Sequence, residues 1–154
     1  ESLAFALDGQ GGFFSGWGED PAEHCTSTTL EHVSAMGVSD WLSSDGPYYA
    51  VGPTLVASSP GHAWLGLGLD GIMGNMQGQS IDDILLAEID IEGKASRMET
   101  FGGPGVDQAV QMGLDASGAR FLTGYFAEHI DFGEGEIKNT TGKPRAIFLA
   151  RLAP

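Results

Sequence analysis

Short apolar runs alternate with turn residues along the whole chain, the pattern of short strands joined by tight turns. It is clearest from Phe101 to Gly133. There Phe101-Gly102-Gly103-Pro104-Gly105-Val106-Asp107 leads into a predicted strand over Ala109 to Leu114. Asp115-Ala116-Ser117-Gly118 turns the chain, Arg120 to Phe126 returns, and Ile130-Asp131-Phe132 forms a short strand. A polar loop from Asn139 to Pro144 precedes a last strand, Ala146 to Leu152. The first residues read the same way. Ser2 to Leu7 is a strand, Asp8 to Gly12 a turn, and Phe13 to Trp17 the return. Asp suits such turns because its carboxylate bonds nearby backbone N–H groups, and Gly because it accepts positive φ.

The middle of the chain repeats the theme. Gly18 to Thr29 is an acidic loop, and Leu30 to Met36 is too short to separate strand from helical turn. Trp41-Leu42, Asp45-Gly46-Pro47 and Tyr48 to Gly52 form strand, turn and strand, and Ser58-Ser59-Pro60-Gly61 breaks the chain again. Ala63 to Leu69 alternates leucine with glycine, the period of a strand with one packed face. Asp70-Gly71 turns it, and Ile72 to Gly78 returns. Ile84 to Ile89 is an apolar strand closed by Ile91-Glu92-Gly93.

Two internal matches point to a repeat. An Asp-led turn followed by a strand ending in Gly occurs at Asp8 to Gly16, Asp45 to Gly52, Asp70 to Gly78 and Asp115 to Gly124. In the outer two, Phe13-Phe14-Ser15-Gly16-Trp17 matches Phe121-Leu122-Thr123-Gly124-Tyr125. Separately, Ile84-Leu85-Leu86-Ala87-Glu88-Ile89 aligns with Ile147-Phe148-Leu149-Ala150-Arg151-Leu152, 63 positions later. That interval holds roughly four short strands, the number in one propeller blade.

Asp115-Ala116-Ser117-Gly118, Thr123-Gly124-Tyr125-Phe126, Asp131-Phe132-Gly133 and Phe148-Leu149-Ala150-Arg151-Leu152 together resemble the SBBP-type β-propeller repeats of secreted bacterial proteins. That family's pattern is an Asp-x-x-Gly-Asn turn, a strand ending Thr-Gly-x-Phe, an Asp-Phe-Gly turn and a closing Phe-(Val/Leu)-Ala-Lys-Leu strand. The match covers residues 84–152 well and 1–83 loosely, apart from Leu7 to Trp17. Ala119 stands where the family has Asn, and Glu88 and Arg151 where it has Lys. The resemblance implies an all-β chain of propeller blades, each of about four antiparallel strands. Residues 1–154 then supply about 2.5–3 blades, fewer than the four or more of most rings. The expected domain is a β-propeller fragment or subunit with an incomplete ring. Another chain, a second copy of this one, or the rest of a cleaved precursor would complete it.

Composition agrees with this reading. The 154 residues include 24 glycines and 7 prolines and are 42% hydrophobic. That is apolar enough for a core and too glycine-rich for long helices. The net charge of −14 is unevenly placed, because residues 1–93 contain 14 acids and no Lys or Arg. An acidic surface excludes nucleic acid and anionic membrane as natural partners and suits solubility, a basic partner or cations. No apolar run reaches the ~20 residues of a membrane-crossing helix, so no membrane insertion is expected. No basic segment opens the chain as a signal peptide would, and a removed one leaves no trace. The family resemblance implies an extracellular or periplasmic location.

Candidate chemistry is sparse. His24, Cys25 and His32, with Glu23 and Glu31 nearby, form the most metal-like group, suited to zinc or copper. Asp82, Asp83 and Asp90 are hard donors of the kind calcium takes. Neither has a recognised ligand spacing, and no cofactor is expected. Cys25 has no partner for an intrachain disulfide. Ser15-Gly16-Trp17-Gly18 is not a nucleophile elbow. Trp17, Trp41, Tyr48 and Tyr49 are the candidate ligand-binding aromatics, which on such blades also serve as core. The expected function is a non-catalytic module for protein or surface interaction. A sugar-binding lectin and a metal-dependent propeller hydrolase are the alternatives.

Overall fold

The computed structural model describes residues 2–18, 28–43, 50–69 and 83–154. Among them the chain is all β, with no helix. Strands β1 (Ser2–Leu7), β2 (Phe13–Gly18), β3 (Thr28–Val33) and β4 (Ser39–Ser43) form one antiparallel sheet in sequence order. Strands β5 (Ala50–Ser59), β6 (His62–Leu69), β7 (Ile84–Asp90) and β8 (Ala95–Phe101) form a second in the same way. Then come β9 (Gln108–Leu114), β10 (Arg120–Phe126), β11 (His129–Asp131), β12 (Glu136–Lys138) and β13 (Ala146–Leu152). The third sheet has the order β13-β10-β9, and β11 and β12 pair as a small hairpin. None of these sheets closes on itself.

One turn recurs. Asp8, Asp90 and Asp115 each accept two backbone N–H groups on one carboxylate oxygen, from the residues two and four places on. The glycine three places on has positive φ in each: 99° at Gly11, 78° at Gly93 and 82° at Gly118. Ser34 to Val38 keeps the same backbone frame, with Gly37 at φ 74°. These are tight hairpin loops whose residue choice follows from a carboxylate cap and a left-handed position.

Several boundaries differ from the sequence expectation. Leu30 to Met36 is strand only to Val33, and the rest is the Ser34 turn. Ile91-Glu92-Gly93 does not end a unit; it turns the chain into β8. Strand β5 runs on past Gly52 and Pro53 to Ser59, with a register shift between Val51 and Thr54. Among the described residues it pairs only with β6, and a sheet edge with a register shift is where proline is tolerated. The Asp45 and Asp70 turns and Ile72 to Gly78 lie outside the described residues.

The sheets stack. Ala6 and Phe14 of the first sheet pack against Leu55, Ala63, Leu65, Leu67, Leu85 and Ile89 of the second. The second sheet's opposite face, with Trp64, Ile84 and Leu86, packs against Ala109, Met112, Leu122 and Phe148 of the third. The same neighbour relation holds at both junctions: β1 and β2 lie on β5, and β5 and β6 lie on β9. Strand β7 and strand β13 occupy equivalent places, each third along its sheet. Each also turns the corresponding side chains, Leu85 and Ile89 or Phe148 and Leu152, toward the preceding sheet. The match between β2 and β10 does not carry over in this way. Phe14 and Gly16 face the following sheet, whereas Leu122 and Gly124 face the preceding one. The two peptides look alike but are used one residue out of phase, which reverses their faces.

Candidate functional site

Of the candidate metal ligands, His24 and Cys25 lie outside the described residues, as do the candidate aromatics Tyr48 and Tyr49. His32 is on β3 and only 4% exposed. Its Nε2 lies 3.1 Å from Asp8 Oδ2 and its Nδ1 2.9 Å from Asp40 Oδ2. A protonated ring donates to both carboxylates and a neutral ring to one. Phe14 packs on one side of the imidazole, with centroids 4.9 Å apart, and Trp41 stacks at 6.5 Å. Both ring nitrogens are therefore committed to protein carboxylates. Among the described residues, no three His, Cys, Asp or Glu side chains are grouped to hold a metal ion.

This cluster ties turns and sheets together. The Asp8 carboxylate caps its own turn through the Gln10 and Gly12 N–H groups with one oxygen and meets His32 with the other. Burial raises the Asp8 pKa, but the bonds from Gln10, His32 and Gly12 outweigh it and hold the carboxyl below its ordinary value. The Asp8 carbonyl accepts from Gly61 N at 2.7 Å, linking the first two sheets. Trp41 makes a second link by donating its indole N–H to the Ile91 carbonyl. Its ring lies over Gly93, where an added Cβ would come within 3.1 Å of it. Trp41 is thus packed between elements. Trp17 is half-buried on the opposite face of the first sheet. Among the described candidates, only His32 and Trp41 are brought together.

At the second junction, Arg120 of β10 is 2% exposed and lies over the Trp64 ring, 4.3 Å from its centroid. Its guanidinium donates to Glu99 Oε2 and to the Ala153 carbonyl, each at 2.9 Å. Glu99 also pairs with Arg97 at 2.7 Å. A buried cation is retained here because an aromatic face and two acceptors offset its desolvation.

The least expected feature is the pair of outward faces. On β1, Leu3, Phe5 and Leu7 point away from the stack, and Phe5 is 66% exposed. Across the sheet they are continued by Trp17, Ser15 and Phe13, then by Glu31 and Leu42. The smaller Ala4 and Ala6 face inward. At the other end, Ile147 and Leu149 of β13 are 86% and 75% exposed. They lie opposite Tyr125 and Thr123 of β10, with Arg151 opposite Phe121. Arg145 covers the Tyr125 ring at 4.4 Å, and Arg151 sits 3.5 Å from Asp115. A strand apolar on both faces signals cover on both. Strand β7 (Ile84-Leu85-Leu86-Ala87) is such a strand and lies between two sheets. Strands β1 and β13 have the same pattern with one face open.

No protein-family model matches the chain, and no curated protein matches it.

Proposed function

We propose that the chain is a non-catalytic β-sheet module whose sheets are successive propeller blades and whose two outward apolar faces take further sheets from a protein partner. The carrying observation is the contrast between β7, covered on both faces, and β1 and β13, each open on one. Contiguous exposed apolar surface is uncommon on monomeric proteins and marks interaction sites. Fully burying each such side chain contributes about 1.5–3 kcal/mol. Several together are of the same order as the ~4–15 kcal/mol cost of association. Resemblance to SBBP-type repeats supports the blade assignment and an extracellular or periplasmic setting. The ordered sheets would then serve as a scaffold for contacts made at its ends.

Dye binding tests this reading. An apolar fluorophore such as anilinonaphthalene sulfonate should bind the dilute chain, and Phe5→Asp and Leu149→Asp should each remove part of the signal. Absence of dye binding, together with glycan binding abolished by Trp17→Ala, would replace it with the lectin reading.

A further inference from the structure

We infer that the two outward faces are complementary to each other, so that the partner is a second copy of this chain, docked head to tail. This rests on the module reading above and names its partner. Three observations point the same way. First, the internal junctions share one geometry, in which the first two strands of a sheet lie on the first strand of the next. The outer face of the third sheet presents β9 and β10, the two strands that would cover a following first strand. The outer face of the first sheet presents β1, a first strand awaiting cover. The ends of one molecule are thus the two halves of one more junction.

Second, both faces carry exposed apolar side chains, Leu3, Phe5 and Leu7 on β1 at one end and Ile147 and Leu149 on β13 at the other. Third, their charges are opposite. The first sheet contains no Lys or Arg and carries Glu31 on its open face. The open face of the third sheet carries Arg145 over Tyr125 and Arg151 over Phe121. Pairing the first-sheet face with itself would bring two acidic sheets together, and pairing the third-sheet face with itself would oppose arginines. Charge therefore selects the heterologous contact over the isologous one. The net charge of −14 opposes any pairing at low ionic strength, so the contact should be sought at physiological salt.

Two blocked variants decide the point, measured by sedimentation equilibrium at physiological salt. Wild type should show mass above the 16.1 kDa monomer, rising with concentration. Phe5→Asp blocks one face and Leu149→Asp the other, so each alone should stay monomeric. Their equimolar mixture should regain a dimer, weaker than wild type, because one intact face of each kind remains. Both residues are exposed, and circular dichroism should confirm that each variant is folded. If either variant dimerises alone, or if the folded mixture stays monomeric, head-to-tail pairing is wrong. A monomeric wild type that still binds the apolar dye would overturn the second-copy partner and leave the module reading standing. A monomer without dye binding would remove both.

Discussion

Replacing His32 by leucine tests whether this buried imidazole is a bolt between turns or a spare metal ligand. The substitution keeps an apolar side chain between Phe14 and Trp41 but removes both ring nitrogens. The bond to buried Asp8 is charge-assisted and accounts for about 1.5–3 kcal/mol. The bond to Asp40 is worth at most about 1 kcal/mol, because that carboxylate is 45% exposed and solvent-screened. Asp8 keeps its two backbone donors on Oδ1, but its buried Oδ2 loses the His32 bond, which is part of the cost. The net loss should be roughly 2–4 kcal/mol, a large share of the ~5–15 kcal/mol that holds a domain folded. Urea denaturation at neutral pH, with and without zinc, reads it out. The His32→Leu protein should unfold at distinctly lower urea with an unchanged m-value. Zinc should shift wild type no more than the variant. A loss below about 0.5 kcal/mol, or zinc stabilisation of wild type alone, would refute the bolt.

Two further predictions use the same assay. Gly124→Ala would place a Cβ 1.9 Å from the Gln108 carbonyl oxygen and 2.9 Å from two Phe148 ring carbons, whereas Gly113→Ala meets nothing within 4 Å. The first should cost about 3 kcal/mol or more and the second less than about 1; equal effects would contradict the packing described. The Asp8 pKa is depressed in the fold, so its contribution is present above the unfolded value near 3.8 and lost as pH falls through the lower folded value. Asp8→Asn should therefore be less stable than wild type at neutral pH, with the gap closing below about pH 4; a gap that widens with acid would reverse the assignment.

The turns were the most legible part of this sequence, because a carboxylate cap and a left-handed glycine leave a local signature. Asp8 and Asp115 announce their loops. Ser34 and Asp90 follow the same frame but sit beside apolar Met36 and Ile91, which blur it. Strands β8 and β12 left no apolar signal, since Arg97, Glu99, Glu136 and Lys138 are surface positions on sheet edges. A local reading ends strand β5 at Gly52, because it cannot see that a sheet edge tolerates Pro53. The His32 cluster is half visible in the sequence: the histidine stands out, but Asp8 and Asp40 lie 24 and 8 residues away and meet it only through sheet pairing. The open faces were present in the sequence as Leu3-Ala4-Phe5-Ala6-Leu7 and Ile147-Phe148-Leu149. An apolar run shows that both faces want cover, but not which face already has it.

Hydroxyl-radical footprinting of the dilute, monomeric chain tests the open stack most directly, since labelling follows side-chain exposure residue by residue. Strong labelling is expected at Leu3, Phe5, Leu7, Ile147 and Leu149, with protection of Phe14, Leu85, Leu122 and Phe148. Protection of either outer set in the monomer, or labelling of the inner set in the folded chain, would contradict the open stack.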